Sequence, residues 1–436
     1  MSIESSPDDK ANAAGNRPAD SAVRHRVIGL SFLAVIICYM DRTNLSIAII
    51  PMAEQFQWDK ATTGVILSSF FFGYITTQIL GGWLADNFGG KLVLGVGVVL
   101  WSIFTMLTAP AAIFSGAIGI VVARVAMGLG EGVTFPAVYS ILSNWTPVTE
   151  RARAISFTMS GTGVGSIAAL LLTPPIIVGL GWEYAFYLFG MLGICWWIAW
   201  HFLVSSTPEK HTRISPAETA LIRADSNSAP DRVKLPLRAM FSHSAVWAII
   251  VAYFCANWVS FVFLAWFPTY VYEELGVDLA SVGFVAVGPA LIGAIGMNCW
   301  GWVADSLLRR DISIISVRKI MNSAGVGASA AMLFTIGFIS SVPLIITLMC
   351  LSSFFGSAAM SGMGANPLDI APRHAGTLMG IVNSIASIPG IIGVAATGLI
   401  LDATGSWTLV FWSLGGVATF GMITFAIFAS SDRLFE

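Results

Sequence analysis

The sequence predicts an all-α membrane protein of twelve transmembrane helices, arranged as two pseudo-symmetric six-helix bundles. Three observations predict it: a composition that water cannot solvate, twelve apolar runs of spanning length, and a motif that recurs half a chain later.

Composition comes first. Of the 436 residues, 56% are hydrophobic and only 11% charged, with a mean hydropathy of +0.80. A soluble domain carries about a quarter charged residues, so most of this surface must meet lipid. A net charge of −2 gives no reason to expect a nucleic-acid partner. Cys38, Cys195, Cys255, Cys299 and Cys350 lie in apolar stretches without CxxC spacing or a neighbouring His cluster. They are expected to be small buried apolar residues, and no metal or cofactor is expected. Residues 1–25 are expected to form a disordered cytoplasmic tail. Glu4, Asp8, Asp9 and Asp20, with little hydrophobicity around them, do not fit a secretory signal or a transit peptide.

A helix needs about 20 apolar residues to cross a bilayer. The candidate spans are 26–50, 62–84, 91–110, 115–142, 152–176 and 182–205, then 244–270, 280–304, 316–339, 342–367, 375–400 and 406–430. Pro110 and Pro343 mark the two turns that carry little charge. The domains expected are a six-helix bundle over 26–205, a cytoplasmic linker over 206–243, a second bundle over 244–430 and a cytoplasmic tail over 431–436.

Basic residues orient the bundle. With both termini and the linker in the cytoplasm, only Arg42, Arg124 and Lys60 of the 22 lysines and arginines fall elsewhere. Outer loops are neutral or acidic, as at Glu273, Glu274 and Asp278. The repeat supports the same division. Gly82-Trp83-Leu84-Ala85-Asp86 ends the second span and Gly301-Trp302-Val303-Ala304-Asp305 ends the eighth, 219 residues later. Parallel halves of this kind belong to transporters that rock about a central site.

Four ionisable residues fall at membrane depth, in mid-span: Asp41 and Arg42 in the first span, Arg124 and Glu131 in the fourth. Each costs about 3 kcal/mol to insert at a helix centre, so they need a shared purpose. Arg124 and Glu131, seven apart, share one helix face, whereas adjacent Asp41 and Arg42 point about 100° apart. The functional reading is that Arg42 and Arg124 supply forked cationic donors for a carboxylate or phosphate. Asp41 and Glu131 are then acids that exchange a proton. The structural alternative is that Asp41–Arg42 and Arg124–Glu131 are internal ion pairs. Glycines on both sides of Glu131 allow close helix approach.

The loop motif Gly82-x3-Asp86-x2-Gly89-Gly90-Lys91, echoed by Asp305, Arg309 and Arg310, is a candidate conformational gate at the cytoplasmic face. Its alternative is a solvated turn. Tyr39, Tyr74, Gln78, Asn257, Ser361 and Asn383 are isolated polar residues in apolar spans, each needing a partner there. They line a cavity or bond neighbouring helices.

At these residues the chain resembles the major facilitator superfamily, and within it the anion:cation symporter family of sialin, vesicular glutamate carriers, bacterial sugar-acid permeases and plant plastid anion carriers. The resemblance rests on Tyr39–Ala48, Gly73-Tyr74 through Gly81-Gly82, Arg124 to Gly132, Trp145-Thr146-Pro147-x2-Glu150-Arg151-Ala152-Arg153, Trp266–Tyr270 and Asp369–Gly376. It covers nearly all of residues 26–430. It implies that Arg42 and Arg124 bind the anion and that Asp41 and Glu131 handle the coupling proton. It further implies that Tyr39, Tyr74 and Asn383 line the cavity, with Asn257 and Ser361 as further candidates. The run Gly165-Ser166 to Pro174-Pro175 is most similar to plastid carriers for phosphate or ascorbate. Ser160-Gly161-Thr162-Gly163 lacks the Gln often found there in sugar-acid permeases, which counts against a sugar acid.

The expected function is cation-coupled symport of a small organic or inorganic anion by alternating access, with a proton or sodium as the coupling ion. The alternatives are a transporter-like ligand sensor and a multidrug exporter. No enzyme is expected, since no nucleophile–base pair is found. The protein is expected to be a monomer among lipids, in the plasma (inner) membrane ahead of a plastid envelope.

Overall fold

In a bilayer every backbone N–H and C=O must be paired within its own segment, so apolar runs of this kind cross as helices. A computed structural model of the chain describes residues 23–224, 240–372 and 374–434, and among them there is no strand. The N-terminal tail as far as residue 22, the linker residues Arg232, Lys234 and Arg238, and Arg373 lie outside the described residues.

The first part of the chain forms α1 (Val23–Phe56), α2 (Lys60–Phe88), α3 (Gly90–Glu131), α4 (Thr134–Trp145), α5 (Val148–Leu180) and α6 (Trp182–Leu203). A short helix α7 (Pro216–Arg223) follows. The second part forms α8 (Ser244–Glu273), α9 (Leu279–Leu308), α10 (Ile314–Ile336) and α11 (Val342–Gly356), then a π-turn over Met360–Gly364. It ends with α12 (Asn366–Ile370), α13 (Ala375–Ile385), α14 (Pro389–Thr404) and α15 (Trp407–Phe428).

Nine stretches among the described residues are long and apolar enough to cross a membrane, and α2, bent by 49° between Gln78 and Leu80, makes a tenth. The run Gly90–Trp145 counts there as one stretch but crosses twice. Gly116 has φ 56° and ψ −142°, and the chain folds back on itself there. The return brings Gly130 against Gly97, where an added β-carbon would lie 2.8 Å from the Gly130 carbonyl oxygen. A straight helix would hold residues so far apart in sequence about 50 Å from each other. Finally α10, with 23 residues, is long enough to cross, although Arg318, Lys319 and Asn322 lower its hydropathy. Twelve crossings result.

Several boundaries differ from those expected, for local reasons. The reversal falls at Gly116 and not at Pro110, which stays inside α3, because only glycine enters that φ without strain. The fourth, tenth and eleventh spans are each interrupted, at Gly132-Val133, at the π-turn and before Pro389. Asp59 and Asp278 cap α2 and α9 by accepting from the Thr62 and Ser281 amides at 2.7 and 3.1 Å. Large side chains such as Phe114, Phe202, Trp83 and Phe338 stand largely exposed on the outside of the bundle, as a lipid-facing surface requires.

Between the parts α1 packs on α8, and the two most extensive contacts are α2 with α14 and α5 with α9. They exchange under the 219-residue repeat, which relates α2 to α9 and α5 to α13–α14, so the bundle carries a pseudo-two-fold. Both are glycine contacts near the end that holds loops 57–59 and 274–278. A β-carbon on Gly64 would sit 3.1 Å from the Gly398 Cα, and one on Gly283 would sit 1.9 Å from the Leu170 carbonyl oxygen. An ion pair between Lys60 and Glu273 spans the same end. At the opposite end the ion pairs stay within one part. Arg24 holds Glu150 and the α7 residue Glu218 at 3.0 and 3.2 Å, and Arg318 holds Asp369 at 2.8 Å.

Candidate functional site

Glycines set the position of the charged cluster. Gly128 and Gly132 press α3 onto α2, where added β-carbons would lie 2.2 Å from the Phe70 and 2.5 Å from the Tyr74 carbonyl oxygens. Gly130, on the other face, meets the Trp101 amide at 2.8 Å in the first arm of α3. The close approach expected from the glycines around Glu131 is therefore present, and it drives Glu131 inward toward α1.

All four ionisable residues are buried: Asp41 and Glu131 are 0% exposed, Arg124 1% and Arg42 8%. The pairing differs from the two intrahelical pairs considered from the sequence. Arg42 crosses from α1 to α3, and its Nη2 and Nε donate to Glu131 Oε2 at 2.9 and 3.3 Å. The Cys38 thiol, one turn earlier, donates to the same oxygen at 3.2 Å. Arg124 makes one hydrogen bond, to the thioether of Met127 at 2.8 Å, and its Nε has no partner. Neither Asp41 oxygen has a partner; the Trp101 indole N–H faces that carboxyl without completing a hydrogen bond. Asp41 also lies within electrostatic range of Arg124 and Glu131. Each group remains where a single proton or counter-charge would change its balance.

Aromatic rings enclose the Arg42 guanidinium. Its Cζ lies 4.7, 4.6 and 4.7 Å from the ring centres of Tyr39, Phe70 and Tyr74. Cation–π attraction of this kind strengthens when water is excluded. Beyond Tyr39 opens a chamber of about 620 Å³. Tyr39, Thr162 and Ser166 contribute to its wall from the first part of the chain, and Tyr253, Asn257 and Asn322 from the second. Gly161 and Gly165 pack α5 on α1, which turns the intervening Thr162 and Gly163 toward the chamber.

Neither Arg42 nor Arg124, the residues expected to bind the anion, lines the chamber in this conformation, and no charged side chain among the described residues does. The tyrosine ring and the Glu131 carboxylate compensate Arg42 for the water it has lost, and they close it off. Among the other predicted residues, Tyr39 and Asn257 line the wall and Tyr74 sits behind it on Arg42. The Asn257 amide is also tied to the Ala386 carbonyl at 2.7 Å. Ser361 and Asn383 do not line the chamber. Ser361 gives its carbonyl to Arg318 at 3.0 Å, and Asn383 gives its own to Ser387, whose hydroxyl reaches Gln78 at 3.4 Å. At the loop motif, Lys91 donates to the His201 carbonyl at 3.4 Å, while Gly82, Asp86, Asp305 and Arg309 lie exposed. Among the described residues, Asp305 and Arg309 form no ion pair.

Sequence reasoning missed Cys38 and Phe70. The five cysteines are expected to be small buried apolar residues, yet Cys38 is a donor to the central acid, and Cys195 is exposed. Cys38 lies one turn before Arg42, a spacing that could have marked it.

A family model described as Major Facilitator Superfamily matches residues 31–317 and 311–433. The chain is 39% identical over 410 residues to "Ascorbate transporter, chloroplastic" of Arabidopsis thaliana, covering 94% of this chain and 75% of that protein. It is 41% identical over 411 residues to "Sodium-dependent phosphate transport protein 1, chloroplastic" of the same plant, covering 94% and 80%. Among solved structures, a bacterial homolog to the human lysosomal transporter Spinster, in an inward-facing and occupied conformation, superposes with a TM-score of 0.74. That match has 16% identity and covers 93% of this chain and 92% of the other.

Proposed function

Because this chain belongs to the Major Facilitator Superfamily, and within it to the anion:cation symporter family, we propose that it carries a small anion together with a cation by alternating access. The observation that carries this reading is the Arg42–Glu131 pair. The guanidinium donors that a carboxylate or phosphate needs are the ones that Glu131 holds. An anion and the ionised Glu131 therefore compete for Arg42. A proton arriving on Glu131 removes the competitor and frees Arg42 at the moment the cation has bound, which couples the two fluxes. Tyr39 and Tyr74 must shift for the anion to pass from the chamber to Arg42. Arg124 balances Asp41 in the same cluster.

The names of the two plant relatives support phosphate and ascorbate as cargo classes, and one supports sodium as the alternative to a proton. For the compartment, those names favour a plastid envelope over the plasma membrane expected from the acidic N-terminal residues. We place both termini in the cytoplasm or its equivalent. The Lys60–Glu273 end then faces outward, and the conformation is closed on that side.

Uptake into vesicles reconstituted with the purified protein tests this reading. The panel is phosphate, ascorbate, glutamate and hexonates, each with and without proton and sodium gradients. Accumulation of at least one anion, driven by one of the two gradients, is expected. The uncharged chamber wall favours a second reading, an exporter of apolar or cationic compounds. A lipophilic cation belongs in the panel for that reason. Transport of that cation with no anion moved under any gradient would replace the symporter by the exporter.

A further inference from the structure

The chamber wall contributed by the second part of the chain carries two polar groups that have no partner among the described residues. Tyr253 on α8 is 6% exposed and its hydroxyl has no hydrogen-bond partner. Asn322 on α10 is 1% exposed and its amide oxygen has none. Both residues belong to the wall. An unpaired buried polar atom costs about 1–3 kcal/mol, and each one in a native structure asks for a reason. The charged cluster offers none, since it lies on α1 and α3.

One backbone feature lies against both residues. The π-turn Met360–Gly364 packs on both. A β-carbon on Gly362 would meet the Asn322 backbone nitrogen at 2.8 Å and its Cβ at 2.9 Å. One on Gly364 would lie 3.5 Å from the Tyr253 hydroxyl and 3.3 Å from Met360 Cε. The glycines let the turn approach both side chains, with the flexible Met360 thioether as the cover beside Tyr253. Single π-turns of this kind occur often at functional sites. The neighbouring Ser329 and Ser352 hydroxyls, 2.7 Å apart, satisfy each other.

We infer that Tyr253 and Asn322 form a neutral subsite that takes hydroxyl groups on the uncharged body of an organic anion. The inference rests on the anion reading above and adds the class of cargo: a hydroxylated organic acid, in preference to inorganic phosphate. In the test, gluconate serves only as a probe of hydroxyl recognition, since Ser160–Gly163 counts against a sugar acid as cargo. With the Met360 cover moved aside, hydroxyls on the ligand body can donate to the Asn322 oxygen and accept from the Tyr253 O–H. Inorganic phosphate keeps a P–OH donor at neutral pH but brings its negative charge close to that same amide oxygen. The chamber volume points the same way, because about 620 Å³ is the scale of sites for multi-atom organic ligands. Its charged complement lies only behind Tyr39, at Arg42, so a molecule with an anionic head and a hydroxylated body uses both walls.

The test measures binding of gluconate, hexanoate and inorganic phosphate to the purified full-length protein by calorimetry. Wild type is compared with Tyr253→Phe and Asn322→Leu. The expected result is that wild type prefers gluconate to hexanoate, and that Tyr253→Phe weakens gluconate by roughly five- to ten-fold. Hexanoate and phosphate affinities stay unchanged. An unchanged gluconate affinity in Tyr253→Phe, an equal loss for all three ligands, or wild-type binding of phosphate alone overturns the subsite while leaving anion transport standing. Binding of none of the three by wild type, together with no anion uptake in the vesicle panel, removes the anion reading and the subsite with it. Tyr253→Phe differs by one oxygen and carries the test by itself if Asn322→Leu does not fold.

Discussion

Arg42 on α1 and Glu131 at the end of α3 meet through a single carboxylate oxygen: Nη2 and Nε both point at Oε2, at 2.9 and 3.3 Å, and Glu131 Oε1 has no partner. The pair is therefore not the two-oxygen fork that makes Arg–carboxylate contacts most rigid. A single shared oxygen leaves the link easier to break, as a coupling element requires.

Glu131→Gln keeps the shape of the side chain and removes its charge. Arg42 then has no anionic competitor at any pH. Uptake of anion against its gradient should fall to the level of passive equilibration, while exchange of labelled for unlabelled anion persists. Paired uptake and counterflow measurements in vesicles check this. Concentrative uptake with an unchanged proton stoichiometry would remove Glu131 from the coupling.

Arg124 and Asp41 form no hydrogen bond but lie within electrostatic range of each other, so their substitutions should couple in stability. Removing one of two opposite buried charges leaves the other less compensated. Arg124→Ala should lower the thermal midpoint in detergent and abolish uptake. Asp41→Asn added to Arg124→Ala should recover much of the stability but not the uptake. Simple additivity of the two losses would show that the side chains do not balance each other.

The helix count and the buried charges are legible in the sequence because both follow from transfer out of water, which depends on residue type alone. The pairing within the cluster is not. It depends on the rotation of α1 against α3, which Gly128, Gly130 and Gly132 set through contacts far apart in sequence. The reversal at Gly116 hides behind the stronger signal of Pro110, six residues earlier. Tyr253 and Asn322 are single polar residues in apolar runs, the same signal that marks Asn257; only the π-turn between α11 and α12 distinguishes them.

Tyr39 stands between Arg42 and the chamber, with its ring 4.7 Å from the guanidinium. Its neighbour Cys38 is fully buried. Tyr39→Ala should open a path from the chamber and make Cys38 react with a small maleimide. Tyr39→Phe, which keeps the ring, should leave it protected. Site-resolved mass spectrometry separates Cys38 from the exposed Cys195. Equal protection in both variants would mean that another group forms the seal.

Lys60 and Glu273 join α2 to α8 across the closed end, both about one-third exposed. A pair so exposed is worth about 0–1 kcal/mol, so either charge reversal alone should shift the balance of conformations by about five-fold or less. Lys60→Glu should raise labelling of cysteines introduced near Gly64 and Gly398. Lys60→Glu with Glu273→Lys should restore the wild-type level. Failure of the double reversal to restore it would assign the closure to the glycine contacts by themselves.

Gly128 and Gly82 predict opposite outcomes for the same substitution. A β-carbon at Gly128 would lie 2.2 Å from the Phe70 carbonyl oxygen and 2.8 Å from the Tyr74 amide, both backbone atoms that cannot move aside cheaply. Gly128→Ala should therefore cost about 1–3 kcal/mol and lower the thermal midpoint. At Gly82 nothing lies within 4 Å of the added carbon, so Gly82→Ala should leave stability near wild type. If Gly82→Ala nonetheless slows uptake, its β-carbon must meet a neighbour in another conformation of the cycle, which is what a gate at this loop requires. Unchanged uptake and unchanged stability would reduce the Gly82–Asp86 motif to an ordinary solvated turn.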